Sequence, residues 1–316
     1  MTIIKTTIYF PLLLLFNSTI FCQNAGGLFW SVVKPGSKDT SYLLGTMHKY
    51  PRNVVELPGV VEQKMGKCQH LYIEIRADKK LKFKMLFSGS IKNAKAIKKS
   101  KNWTDEDWDK IKRWFVETHK MDIGTFNKLK PKISLSTFTE LFISLYGYEK
   151  GAMENDLENL AFQRNLSIKG LDRSWNQIQS WYAYYAKKQS IPWQEGTIDS
   201  SLNNSFYRFA DLIIAYAIQD TSTINAYRTK EVWENGLTLV EWRNHNWIPQ
   251  LKKLMKEKTM VAIGAAHLFG THGVINLLRN EGFNVHPVGG HFGGEKLERF
   301  IRMNSRQYEM SNENLN

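Results

Sequence analysis

The chain has 316 residues, with 43 Lys and Arg against 30 Asp and Glu and a formal net charge of +13. At that length, with 42% apolar residues, it can bury a full hydrophobic core, and two cysteines exclude a disulfide-built scaffold. The basic balance raises the question of a nucleic-acid partner. However, Asp105, Glu106, Asp107 and Asp109 interrupt the lysine-rich stretch from Lys79 to Lys132, and no RNA- or DNA-binding motif is present, so none is expected.

In chain order, residues 1–22 read as a secretory signal. Lys5 supplies the positive charge, Ile8 to Phe16 form a short apolar core, and Asn17 to Cys22 lead to a cut near Gln23. The alternatives are an acylated Cys22, which bulky Phe21 disfavours, and a retained anchor. Export to the periplasm or the extracellular space is expected, with no transmembrane anchor in the mature chain, because no later apolar run is long enough to span a bilayer. Phe29–Lys34 and Ser41–Leu44 form an expected strand pair around the Pro35-Gly36 turn. A helix is expected from Val54 to Gly66 and a buried strand at Leu71–Ile75. Helical patterns then dominate to about residue 257: Ser136–Leu145, Met153–Gln163, Trp175–Lys188, Leu202–Ile218 and Leu239–Lys256, broken by one strand at Ser167–Leu171. Strands resume at Met260–Ile263 and Asn284–Val288, and a polar tail runs from Met303 to Asn316. This reads as one α/β domain over residues 23–302. Its central sheet comes from N- and C-terminal βαβ-like halves, with a large helical region at about 79–257 as an insertion or cap.

Two segments look like copies of one device: Ser41-Tyr-Leu-Leu-Gly-Thr-Met-His48 and Met260-Val-Ala-Ile-Gly-Ala-Ala-His267. Each is an apolar strand followed by Gly, two residues and His. Glycine is expected to let the backbone turn sharply at the strand end. Parallel strands would carry both histidines to one sheet edge, where open α/β folds build their sites. The alternative is two ordinary histidines at strand ends. Glu74 lies in Leu71-Tyr-Ile-Glu-Ile75, and an unpaired carboxylate is costly to bury there. It either meets His48 near the strand's end or is exposed on an edge strand. His272 is a candidate further ligand or a surface turn residue, and His291 is similar. His70, His119 and His286 have no nameable partner. There is no Gly-x-Ser-x-Gly elbow and no His-Glu-x-x-His helix.

With Arg243-Asn244 and the run from Val261 through Gly264-Ala-Ala-His-Leu-Phe-Gly-Thr-His-Gly273 to Val285, these segments resemble the TraB/PrgY/GumN family, which includes the Tiki proteases. The family's marks are two Gly-x-x-His motifs, a Glu in the second strand, an Arg-Asn pair before the last motif and a Gly-x-x-Gly helix start after it. In the middle, Met153-Glu154, Leu157, Ala161 and Gly170-Leu-Asp172 match with departures, since each acid has the other length. The resemblance points to the soluble, exported GumN-like branch. It implies a fold related to the erythromycin-esterase and ChaN-like proteins.

The resemblance also implies a metal-dependent hydrolase, a peptidase acting on peptide or protein substrates. His48, Glu74 and His267 would hold one divalent ion, with Mn²⁺, Co²⁺, Fe²⁺ or Zn²⁺ all compatible. Glu154 or Asp172 would accept the water's proton, and Arg243 would stabilise an oxyanion or bind a substrate carboxylate. Two rivals stand beside it. One is a metal-free, esterase-like hydrolase that uses His and carboxylates, and the other is a protein that binds and sequesters peptides.

Overall fold

Met260-Val-Ala-Ile263 is apolar on both faces, the pattern of a strand covered on both sides. In the computed structural model it lies within strand β9 (Thr259–Gly264), near the centre of a six-stranded sheet. The structure describes residues 27–76, 105–129, 135–172, 198–228, 230 and 232–304. The expected signal, most of the lysine-rich stretch, the Trp175–Lys188 helix and the tail after Asn304 lie outside the described residues.

The other sheet strands are β1 (Phe29–Val33), β2 (Ser41–Thr46), β4 (His70–Ile73), β6 (Ser167–Gly170) and β10 (Asn284–Pro287). Their order is β10-β1-β2-β9-β4-β6. β2, β9, β4 and β6 pair in parallel, and β1 pairs antiparallel to both β10 and β2. The fold is therefore α/β with a mostly parallel sheet. β6 comes from the helical middle of the chain, so that region builds part of the sheet as well as helices around it. A short pair, β3 (Tyr50–Pro51) and β5 (Lys150–Gly151), ties the loop after β2 to the middle region.

Strand alternation sorts side chains onto the two faces. Tyr42, Leu44, Leu71, Ile73, Met260 and Ala262 face one core. It is closed by α1 (Gly59–Met65), α5 (Met153–Gln163) and α6 (Ile198–Ala217). Leu43, Tyr72, Val261 and Ile263 face the other, closed by α8 (Leu239–Leu254) and α9 (Val274–Asn280). α2 (Asp105–Lys112), α3 (Ile123–Leu129) and α4 (Leu135–Leu145) build a third cluster against α6, rich in aromatic rings such as Trp114, Phe115, Phe142 and Phe206. The short α7 (Thr221–Ala226) follows α6 and is capped by Asp220. A strand pair, β7 (Val232–Glu234) and β8 (Leu237–Thr238), leads into α8, which starts in a capping box between Thr238 and Glu241.

Two expectations change. The first helix begins at Gly59, not Val54, because Pro58 fixes the backbone there and disfavours helix at Leu57 before it. Val54 and Val55 are instead buried in a loop, with Val55 bridged to Arg52 and Gly293. The motif glycines are also not turning residues of the left-handed kind, since Gly264 has φ −51° and neither glycine has a positive φ. They provide space. A Cβ on Gly45 would stand 2.6 Å from Leu268 Cδ1 and 3.2 Å from Ala265 Cα. Gly45→Ala should therefore destabilise the fold by about 1–3 kcal/mol, as overpacking does. Urea unfolding of the variant checks this, and an unchanged midpoint would show that the strand has room to move.

Candidate active site

The carboxyl ends of four parallel neighbours converge. His48 follows β2, His267 ends a single 3₁₀ turn (Ala265–His267) after β9, Glu74 follows β4, and Asp172 follows β6. Two helices complete the group, with Glu154 in the first turn of α5 and Arg243 on α8. All six residues singled out from the sequence thus come to one sheet edge.

Arg243 sits at the centre. Its Nη2 lies 2.8 Å from Glu74 Oε2 and 2.8 Å from Asp172 Oδ2, and its Nε reaches the same Asp172 oxygen at 3.2 Å. Trp247, one turn along α8, donates its indole N–H to Asp172 Oδ1 at 2.6 Å, and the guanidinium lies 4.6 Å from its ring centroid. The backbone N–H of Gly264 donates to Glu74 Oε1 at 2.6 Å. Arg243, Glu74 and Asp172 are all buried, so the exposed-edge alternative for Glu74 does not hold. Burial pushes the Glu74 pKa up. Arg243, with help from the nearby histidines and the Gly264 N–H, more than offsets it and holds the carboxyl far below its ordinary 4.5. A depressed carboxyl contributes stability in full above its unfolded pKa, and that contribution fades only as pH falls through the lower folded value.

His267 is buried and fixed. Its Nδ1 is 2.6 Å from Asn244 Oδ1, and its Nε2 is 3.3 Å from Arg243 Nη1 and 3.7 Å from Glu74 Oε1. Arginine has only donors, so Nε2 accepts and the proton sits on Nδ1, donated to Asn244. Burial lowers the His267 pKa to about 3, although the Glu74 charge acts upward, so the ring is neutral. Asn244 also donates to the carbonyls of His267 at 3.1 Å and His272 at 2.8 Å. The value of the Arg-Asn pair is thus geometric, since one residue balances charge and the next sets a tautomer.

His48 occupies the open side, with 67% of its side chain exposed. Its Nδ1 is 2.8 Å from Glu154 Oε1, which also accepts from Thr46 Oγ1 at 2.6 Å. Desolvation acts to lower the His48 pKa, but the hydrogen bond and charge of Glu154 outweigh it and raise the pKa above its ordinary 6.5. Water at this edge screens the pair and keeps its contribution to stability small. Thr46 and Asn244 are the positioning residues that the sequence patterns leave unassigned. Thr46 is marked only by lying two residues before His48.

A Cβ on Gly264 would stand 3.0 Å from Glu74 Oε1 and 3.8 Å from both His48 Nε2 and His267 Cδ2. The glycine therefore keeps open a space that both rings and the carboxylate border. As arranged, no three His, Cys, Asp or Glu side chains among the described residues stand close enough to surround an ion. Of the remaining histidines, His119 lies 4.2 Å from the Trp114 ring, and His70 lies 3.8 Å from Glu257.

The sheet and the site define an α/β protein that carries titratable groups at the carboxyl edge of parallel strands. Residues 28–287 match the TraB/PrgY/gumN family, and the chain belongs to that family. No curated protein and no solved structure matches it. Among the described residues, no helix is long and apolar enough to cross a membrane.

Removing the Asp172 carboxylate should be severe. Asp172→Ala leaves Trp247 Nε1 and one side of a buried guanidinium unpaired, and breaking a buried pair this way costs about 3–5 kcal/mol. Chemical unfolding should show that loss. A change below about 1 kcal/mol, the scale of a surface ion pair, would mean that Glu74 alone suffices for Arg243.

Proposed function

We propose that this chain is a hydrolase that cleaves an amide bond with the help of a divalent metal ion, acting on peptide or protein substrates outside the cytoplasm. The observation that carries the reading is the anchoring of both histidines by Nδ1. Glu154 holds one at 2.8 Å and Asn244 the other at 2.6 Å, with the two rings and Glu74 Oε1 bordering one space at Gly264. Metal-binding histidines are oriented in this way, through the nitrogen that does not touch the ion.

The donor chemistry fits a divalent ion. Glu74 Oε1 and the neutral His267 Nε2 are 3.7 Å apart, a span that two first-shell bonds of about 2 Å can bridge. The three side chains as arranged do not surround an ion, so the exposed ring of His48 would have to swing inward to complete the set through Nε2. Glu74 and Asp172 face the one guanidinium of Arg243, and Glu154 adds a third carboxylate beside His48 at the open edge, a balance that also favours an added cation. When bound, such an ion polarises a carbonyl and lowers the pKa of bound water. The chain's own residues do the rest. Asn244 holds the His267 tautomer, and the Gly264 N–H and Arg243 fix the two oxygens of Glu74. Glu154, at the open edge and not committed to Arg243, would hold the Nδ1–H of His48 and would itself be the carboxylate that takes the water's proton. Asp172 has both oxygens committed to Arg243 and Trp247, and Arg243 is committed to two internal carboxylates, so both act by holding the site together.

One observation favours the metal-free rival. Arg243 Nη1 already lies 3.3 Å from His267 Nε2 and thus uses the lone pair that an ion would need. In that version His48 and Glu154 supply the acid–base chemistry alone.

Metal analysis of the purified protein, combined with a peptide-library digest across several divalent ions, tests the reading. His48→Ala should keep the fold, lose bound metal and lower turnover by at least about 10²-fold, while His291→Ala changes neither. Activity that survives chelation and metal-free repurification would transfer the assignment to the metal-free form. Peptide binding without turnover under every ion tested would overturn hydrolysis and identify a sequestering protein.

A further inference from the structure

His245 and His272 stand apart from the cleft, and the site described above uses neither. His245 is exposed on α8, two residues beyond Arg243, and His272 is partly exposed in the loop between His267 and α9. Their rings are 5.1 Å apart at 53°, and His245 Nε2 lies 2.9 Å from His272 Nδ1. One proton joins these two nitrogens, so one ring donates and the other offers its lone pair.

We infer that the His245–His272 pair is a surface binding site for a borderline transition-metal ion, separate from the cleft, that clasps α8 to the loop carrying His267. The ion displaces the shared proton, which passes through solvent to the other nitrogen of its own ring, and binds to one side of the N–N line with His245 Nε2 and His272 Nδ1 as its two protein ligands and water in the remaining positions. Imidazole nitrogen suits Cu²⁺, Ni²⁺, Co²⁺ and Zn²⁺, and does not suit Mg²⁺ or Ca²⁺. The spacing refines the choice. Two bonds of about 2.0–2.1 Å meeting at a right angle put the nitrogens about 2.9 Å apart, whereas a tetrahedral angle needs about 3.4 Å. The observed 2.9 Å matches the square-planar or octahedral value, so Cu²⁺ and Ni²⁺ require the rings only to turn their lone pairs from each other toward the ion, whereas Zn²⁺ also requires them to separate.

Two further features suit a cation here. Glu241 lies one helical turn before His245 and so shares its face of α8. Its carboxyl is pushed up by burial, but hydrogen bonds from Thr238, then the charges of Arg228 and His272, keep its pKa below 4.5. The pair also has a short mechanical link to the cleft, because Asn244, beside His245 in sequence, donates to the carbonyls of both His267 and His272. An ion at the pair therefore braces the loop on which the His267 ring depends.

Isothermal titration of the metal-free chain with Ni²⁺, alongside His245→Gln, His272→Gln and the double variant, tests the site. The wild type should bind one more Ni²⁺ per chain than each variant, whatever the cleft itself binds. Its Tm should rise with the logarithm of free Ni²⁺ by an increment that the double variant lacks. Cu²⁺ should bind more tightly than Ni²⁺, and Zn²⁺ more weakly than Cu²⁺. Equal stoichiometry and equal Tm increments in the wild type and the double variant, up to millimolar Ni²⁺, would overturn the proposal. The cleft reading stands or falls separately, on the metal that His48→Ala retains when His245 and His272 are both replaced by Gln.

Discussion

The rest of the structure depends on one buried guanidinium. Arg243 is taken out of water between two carboxylates, and an ion so placed is tolerable only if its partners are fixed close to it. Glu74 comes from the end of β4 and Asp172 from the end of β6, so satisfying Arg243 sets where two strands stop and how α8 lies across them. The same helix then aims Asn244 at His267 and Trp247 at Asp172. Each hydrogen bond at the sheet edge thus has a second function: it holds a functional side chain and also pairs a buried polar group that would otherwise destabilise the fold.

This construction splits the site into two unlike halves. The inner half is dry and locked, with a neutral His267, an ionised Glu74 and a guanidinium whose charge two carboxylates offset. The outer half is open, with a His48 drawn toward the cationic form by Glu154. Two histidines delivered by similar motifs therefore have opposite tendencies, one pKa lowered and the other raised. Environments that push like groups apart in this way are how a single site assigns acid and base roles. The outer ring is the one able to exchange protons with solvent or substrate, and the inner ring is the one able to present a fixed lone pair.

Much of this was legible in the sequence, and the reason is local. An apolar strand, a glycine and a histidine lie within eight residues, so strand direction alone predicts where His48 and His267 go. Met153–Gln163 could be read as a helix to the residue because its apolar spacing is contained within the segment. What could not be read needed partners far along the chain. Nothing near Thr46 announces a bond to Glu154, and nothing near Gly264 announces that its N–H meets Glu74, 190 residues earlier. The glycines were visible, but their reason was not, because crowding by Leu268 and Ala265 exists only after β2 and β9 pair. Likewise Glu74 could be read as buried or exposed until β6 was seen to cover β4 and remove it from the edge.

The register of β2 against β9 carries the argument one step further. Thr46, not Gly45, is the partner of Gly264, so the two motifs are offset by one residue where they meet. A one-residue shift along a strand exchanges the faces that side chains point to. The offset therefore lets similar sequences arrive at one edge without being equivalent. His267 continues directly from its strand into a buried 3₁₀ turn against α8, whereas His48 enters an open loop facing α5. The asymmetry between a locked and an exposed histidine is thus already present in the pairing of the strands, before any charged group is added.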